Sequence, residues 1–461
     1  MPANDLLSYS EACAFVARRA ERLARAKPAA ERVRLTAAAG RVLAETLRAS
    51  SDQPPFARST RDGYACRAAE ISTHGPLAVA GATRAGDAPS GPLACGVVWE
   101  IMTGAPVPRG ADAVVMIEHV ESAGAAAKPT IRLLPPRTIE PGENIVARGA
   151  QARKGDALLP AGTLIGAAQI ALAASCGATQ LTVYARPRVA ILSTGDELVP
   201  IAAKPKPGQI RNSSSAMLAA MVSAAGGEPW ILPIARDTLK SLDAALARAA
   251  AADLLLITGG VSAGKFDLVE PALARLGARF HFTGVRIQPG KPLVFGELPR
   301  RRDGPTIDLA TNDCAGAPSF PAFFAGKGGK KMSLSYCRID SSVQRQNGKK
   351  CSFLGLPGNP VSSAVTFLLF AAPILAALAG RLHRGPRFAL ARLTEDVKTK
   401  PGLTRFLPAA CTFAAPVPEV ACVSWQGSGD LAAMALANCY LVVPEDSDRL
   451  KAGATVRILL P

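Results

Sequence analysis

Three short aliphatic runs, each breaking off into a polar, glycine-bearing loop, constrain this chain more than any other feature. Residues 189–192 run into Ser193, Thr194, Gly195, Asp196 and Glu197. Residues 254–257 run into Thr258, Gly259 and Gly260, with Ser262 and Asp267 shortly after. The FHFTG segment leads to Gly290, Lys291 and Pro292. Unbroken aliphatic runs of this length suit strands buried on both faces of a parallel sheet. Two helical patterns separate the first two runs. One starts near Asn212 and Ser213, presents Met217, Leu218, Met221 and Val222 on one face, and stops at Gly226 and Gly227. The other starts near Asp237 and Thr238, with Asp237 as its expected N-cap, and carries Leu239, Leu242 and Leu246. Such α/β winding places ligands outside the carboxyl ends of the strands. Both Thr-Gly loops and their carboxylates fall at that edge.

At 461 residues the chain exceeds what one core supports, so several domains are expected. Lys and Arg number 53 against 36 Asp and Glu, a formal net charge of +17. The basic residues are scattered, and five Tyr with three Trp offer little for base stacking. A phosphate-bearing small molecule therefore fits better than nucleic acid. Ten cysteines without a C-x-x-C pair, and four histidines at no ligand spacing, argue against structural zinc and for reduced thiols in the cytoplasm. The N-terminus has no apolar signal core. The apolar stretch 361–379 holds Ser362, Ser363, Thr366 and Pro373, which suits a buried helix and not a membrane span.

Along the rest of the chain, an amphipathic helix is expected from Ser8 to about Ala26. A Pro-rich crossing follows with Pro54 and Pro55, then Asp62 and Gly63, where Asp62 reads equally as a turn residue capping its own backbone or as a ligand. Residues 77–134 look β-rich, and the Thr103–Gly104 turn reads as a hairpin between two strands, with Thr103 structural or ligand-binding. A helix over 166–175 and the strand LTVY come next. About fifty aperiodic residues between PLVFG and LGLPGNP read as a surface excursion. The turn Pro357, Gly358, Asn359, Pro360 opens a helix whose first amides would suit an anion. Beyond Gly380, the alternating runs FALARLTEDV, CTFAAPV, EVACVSW, YLVVPE and TVRILL suggest a small β-barrel.

The strings STGDEL, ITGGVSAG-x-x-D, PGKP-x-x-FG and LGLPGNPVS, in this order, resemble the molybdopterin molybdenumtransferases, the group that includes the E domain of gephyrin. Ser59, Asp62, Gly63, Tyr64 and Ala65, the EIMTGAPVPRGADAVVMIE segment and the Gln426–Gly429 loop match as well, over most of the chain. The resemblance implies a multidomain α/β plus β fold. Its parts would be a discontinuous mixed α/β linker domain (1–52 and 145–185), a β-rich domain (53–144), a doubly wound α/β domain of the molybdopterin-binding type (186–383, with an insertion near 300–350) and a C-terminal β-barrel (384–461). It also implies insertion of molybdenum from molybdate into adenylylated molybdopterin with release of AMP.

On this resemblance Asp62, Glu197, Asp237 and Asp267 are the expected catalytic carboxylates, with Mg²⁺ on Glu197, Asp267 and Asp62. Thr103, Thr194, Gly195, Gly259, Gly260, Ser262, Lys291, Pro357, Gly358, Asn359, Pro360 and Ser428 would hold substrate. A cytoplasmic homodimer is implied, along with contacts to the molybdopterin adenylyltransferase and to molybdoenzyme maturation proteins. The chain departs from the family pattern at Arg61, Val146, Gln151, Lys265, Gln288 and Pro408. Two rivals remain open: the preceding adenylylating enzyme, whose shorter form this length disfavours, and a non-catalytic scaffold that binds molybdopterin or the cofactor.

Overall fold

Alternation along the aliphatic runs decides both faces of a six-stranded sheet. Its strand order is Glu228–Ile231, Arg188–Ser193, Leu254–Thr258, Lys350–Leu356, Val294–Pro299, Arg279–Thr283. The first four are parallel, while Val294–Pro299 runs antiparallel to both its neighbours. The third run thus belongs to a mixed sheet, because the chain turns back at Lys291 without a crossover helix. Val189, Ile191, Leu254 and Leu256 point to one face, packed with Leu218, Val222, Val365 and Ile374. Ala190, Leu192, Leu255 and Ile257 point to the other, packed with Leu242, Leu246, Val269 and Leu273. Each face is apolar, so each recruits its own helices.

The computed structural model describes residues 6–73, 75–88, 91–123, 128–260, 268–299, 350–414 and 416–461, in two compact units, Met1–Ala29 with Tyr184–Pro461, and Ala30–Val183. In the first unit the helix Tyr9–Ala24 opens with a capping box between Ser8 and Glu11. Its buried stripe Ala12, Val16, Ala20 joins the sheet's own core. Arg19 on that helix pairs with Glu297, a buried carboxylate that also faces Lys350 at 3.3 Å and His281 at 3.8 Å. Burial, and then the cations Arg19, Arg279 and Lys350, push the His281 imidazole down to about 4, so it stays neutral near pH 7.

The helical segment Pro360–Leu378 is apolar and long enough to cross a membrane, yet it is mostly buried against the sheet. A widened π-type turn at Phe367–Ala371 precedes Pro373, whose missing N–H and bulky ring an α-helical turn would not accommodate. Farther on, Thr404–Thr412, Glu419–Cys422, Arg387–Leu393, Thr455–Leu460 and Cys439–Val443 close into a five-stranded barrel. The CTFAAPV run supplies only the end of the first of these strands.

In the second unit the sheet order is Ala113–Met116, Gly63–Cys66, Val97–Ile101, Leu77–Thr83, Thr130–Leu133, Val120–Ala123. The expected hairpin across Thr103 does not form: its two strands flank Gly63–Cys66 instead. All four residues of that strand are buried, which suits the inner position, and Gly63 is required there because a Cβ would lie 1.9 Å from the Val115 carbonyl. The helix Ala167–Ser175 and the strand Gln180–Tyr184 stand where the sequence places them.

The long excursion lies outside the described residues, but its two roots do not. Pro299 and Lys350 are register partners in adjacent antiparallel strands, so the excursion leaves and re-enters the sheet at one point. That point is the end of the sheet opposite the polar loops. Replacing residues 301–349 with a short turn should therefore change unfolding stability by no more than about 1 kcal/mol, since loop-closure entropy varies slowly with length. Chemical denaturation checks this; loss of the folded state would make the excursion part of the core.

Candidate active site

Pairing of Arg188–Ser193 with Leu254–Thr258 sets Ser193 opposite Thr258 at the carboxyl edge. The Thr194 amide donates to the Thr258 carbonyl at 3.0 Å, which brings the two Thr-Gly loops together. Gly259 permits this approach: its φ is +88°, and a Cβ there would sit 2.4 Å from the Thr194 carbonyl oxygen. Gly358 of the PGNP turn lies close above Gly259, so that a Cβ at position 358 would stand 3.6 Å from the Gly259 Cα. Three strand ends thus converge on one small area of backbone.

Side chains from separate loops meet there. The Thr194 hydroxyl donates to Asp237 Oδ1 at 2.7 Å. Contrary to the sequence expectation, Asp237 is not the cap of the following helix; Thr238 is, its hydroxyl accepting from the Ser241 amide. One residue's difference frees the Asp237 carboxylate to face the Thr194 loop. Glu197 is exposed and folds back over Gly195, where a Cβ would come 2.5 Å from Glu197 Oε2. Ser214 donates to the Gly358 carbonyl at 3.3 Å, and Asn212 Oδ1 accepts from both Ser193 Oγ and the Ser215 amide. Sequence reasoning passed over Ser214 and took Asn212 only for a cap; the run of serines after it was the available signal.

Asn359 Nδ2 donates to Ser428 Oγ at 2.7 Å, tying the PGNP turn to the Gln426–Gly429 loop. The Val361 amide donates to the Ser428 carbonyl, so the helix start is less open to an anion than expected. Pro360 has no amide to offer. Lys291 is exposed, while its carbonyl accepts from the Val285 and Leu293 amides and fixes the turn that carries it. Gly260 is packed beneath the edge against Val269. Ser262, Lys265 and Asp267 lie outside the described residues.

Asp62 and Thr103 form a second cluster, in the other unit. The Asp62 carboxylate reaches across to a distant loop: Oδ1 accepts from the Thr103 amide at 2.6 Å and the Thr103 hydroxyl at 2.9 Å. These two donors, the amide foremost, hold the Asp62 carboxyl below its ordinary range and so keep it ionised. The two loops are one hydrogen-bonded device. A cleft of about 560 Å³, lined among others by Tyr9, Thr404, Glu445 and Arg457, shares no residue with either cluster.

Comparison with known proteins assigns most of the chain. Residues 7–177 match the MoeA N-terminal region (domain I and II), 190–377 a probable molybdopterin binding domain, and 390–460 the MoeA C-terminal region (domain IV). The chain is 32% identical over 438 residues to the molybdopterin molybdenumtransferase of Nostoc sp., covering 93% of this chain and 88% of that one. With the enzyme of the same name from Haemophilus influenzae it shares 29% identity, covering 93% of each. The molybdopterin biosynthesis MoeA protein of Pyrococcus horikoshii OT3 superposes with a TM-score of 0.70 at 26% identity, over 99% of this chain and 100% of that one. Matching sequence, matching fold and the Thr-Gly loops at the sheet's edge agree: the chain belongs to the molybdopterin molybdenumtransferase family.

Proposed function

We propose that the carboxyl edge of the α/β sheet binds adenylylated molybdopterin and molybdate, passes molybdenum to the pterin dithiolene, and releases AMP as the phosphoanhydride is hydrolysed. The observation that carries this reading is the Thr194–Asp237 bond beside Glu197, which gathers two carboxylates at the rim of glycine-rich loops. Two Mo–S bonds form as one molybdate oxygen leaves as water with the two thiol protons; water attacking phosphorus forms one P–O bond while the bridging P–O bond breaks, its hydrogens pass to the two products or to solvent, and AMP leaves. Asp237, with Oδ1 held by Thr194, keeps a fixed orientation toward that reaction. Lys291, Asn359 and Ser428 offer N–H and O–H donors for phosphate and pterin groups.

Mg²⁺ fits this edge on the chemistry of its donors. The ion usually takes one or two carboxylates and completes its shell with water and substrate phosphate, so no all-protein cage is required. Among the described residues no group of three or more His, Cys, Asp or Glu stands preassembled. Glu197 would hold the ion, joined by Asp267 and Asp62 as the family resemblance implies. When bound, it neutralises pyrophosphate charge and polarises the bond that breaks. Ten cysteines without a C-x-x-C pair suit reduced thiols and so a cytoplasmic setting.

The reading extends to a homodimer, because the Asp62–Thr103 device and the carboxyl edge belong to different compact units and family resemblance pairs them across subunits. Light scattering at micromolar concentration should give the mass of two chains, and a strict monomer would count against it. For the chemistry itself, Glu197→Gln keeps the shape and removes the charge. It should slow AMP release by about a hundredfold, the scale of losing one strong electrostatic stabiliser, with pterin binding little changed. Thermal unfolding should barely move, since Glu197 is exposed. A folded variant with undiminished molybdate-dependent turnover would remove Glu197 from the reaction, whereas a folded intact chain that binds the pterin and releases no AMP would favour a binding-only scaffold.

A further inference from the structure

The STGDEL and ARDT loops are fastened together by contacts that the transfer chemistry itself does not call for. Arg236 Nη1 donates to the Asp196 carbonyl at 3.0 Å and stands 3.9 Å from Asp196 Oδ1. The same Oδ1 accepts from the Asp237 amide at 3.4 Å. Behind this latch, the Arg236 amide donates to Ser241 Oγ at 3.0 Å, anchoring the loop to the first turn of the helix Leu239–Ala249. Beneath it, the Gly195 amide donates to the Ala235 carbonyl at 3.2 Å. Both latch residues adjoin a carboxylate of the site: Asp196 precedes Glu197, and Arg236 precedes Asp237.

We propose that Arg236 is a positioning residue for the transfer reaction, its bond to the Asp196 carbonyl setting where Glu197 stands relative to Asp237. This rests on the reading of those two carboxylates given above. Arg236 is about half exposed, so its ion pair adds little to global stability. Glu197 is held on one side by the Ile210 amide, which donates to its carbonyl at 2.8 Å, and Arg236 fixes the other side at Asp196; misplacing a reacting group by about 1 Å can cost up to a hundredfold in rate. The guanidinium also offsets the mutual repulsion of Asp196, Glu197 and Asp237, which crowd one rim. Arg suits the task because its charge is permanent and its donors are held in a rigid plane.

The test is steady-state AMP release from adenylylated molybdopterin with molybdate, measured on the intact chain and on R236A and R236K, with thermal unfolding on the same preparations. R236A should lower kcat about tenfold while KM stays within about twofold, the pattern of lost positioning and not of lost binding. R236K should recover most of the loss, since an ammonium can still donate to a carbonyl. The double variant R236A/E197Q should be no slower than E197Q alone, because the arginine acts through Glu197. An unchanged kcat in R236A, a rise in KM at constant kcat, or additive losses in the double variant would overturn the inference. If R236A does not fold, R236M, which keeps the bulk of the stem and donates nothing, is judged by the same outcomes. Absence of AMP release by the intact chain would instead defeat the functional reading, and this inference with it; normal release by the intact chain and R236A alike defeats this inference alone.

Discussion

The parallel register that sets Ser193 opposite Thr258 is the contact on which the site depends. Strands of one sheet end where their hydrogen bonding ends, and here two end together. The Thr194 amide then closes on the Thr258 carbonyl, with Gly259 leaving room beneath. From that junction the rest follows by short steps: Asp237 reaches Thr194, Gly358 packs on Gly259, and Asn359 carries the arrangement to Ser428. A side chain at position 259 would meet the Thr194 carbonyl at 2.4 Å and part the two loops. The carboxylates are placed by backbone pairing first and by side-chain bonds second, which is how a rigid scaffold supports a polar rim.

Much of this was legible in the sequence because buried strands advertise themselves. VAIL and LLLI have no polar interruption, and the glycines after them could only be turns. The helices announced their starts through Ser8 and Asn212, and the structure keeps both as caps. Contacts between distant segments were not legible. Nothing local distinguishes an Asp62 that caps its own turn from one that accepts two bonds from Thr103, forty-one residues away. Likewise Asp237 and Thr238 are both good caps, and only the demand of Thr194 for an acceptor separates them. The supposed hairpin at Thr103 failed for a related reason: a third, fully buried strand competes for the place between its arms.

The departures from the family pattern gain a physical setting. Gln288 pairs in register with Arg405 on the first barrel strand, three residues before Pro408. Arg405 itself donates to the Leu403 carbonyl, and Pro408 leaves its own carbonyl to the Val423 amide. The strand absorbs the proline because that residue needs no N–H there, and the barrel closes around it. Val146 likewise takes a strand position, opposite Arg58. Each of these positions lies in a paired strand.

On the proposed function, substrate meets this chain at the carboxyl edge of its α/β sheet and not in the cleft beside Tyr9. Hydrogen–deuterium exchange of the intact chain, with and without adenylylated molybdopterin, tests it directly. Protection is expected in peptides spanning 193–199, 234–239, 256–260 and 355–361, where the loops of the rim lie. Protection confined to peptides spanning 442–457, at the cleft lined by Glu445 and Arg457, would contradict it.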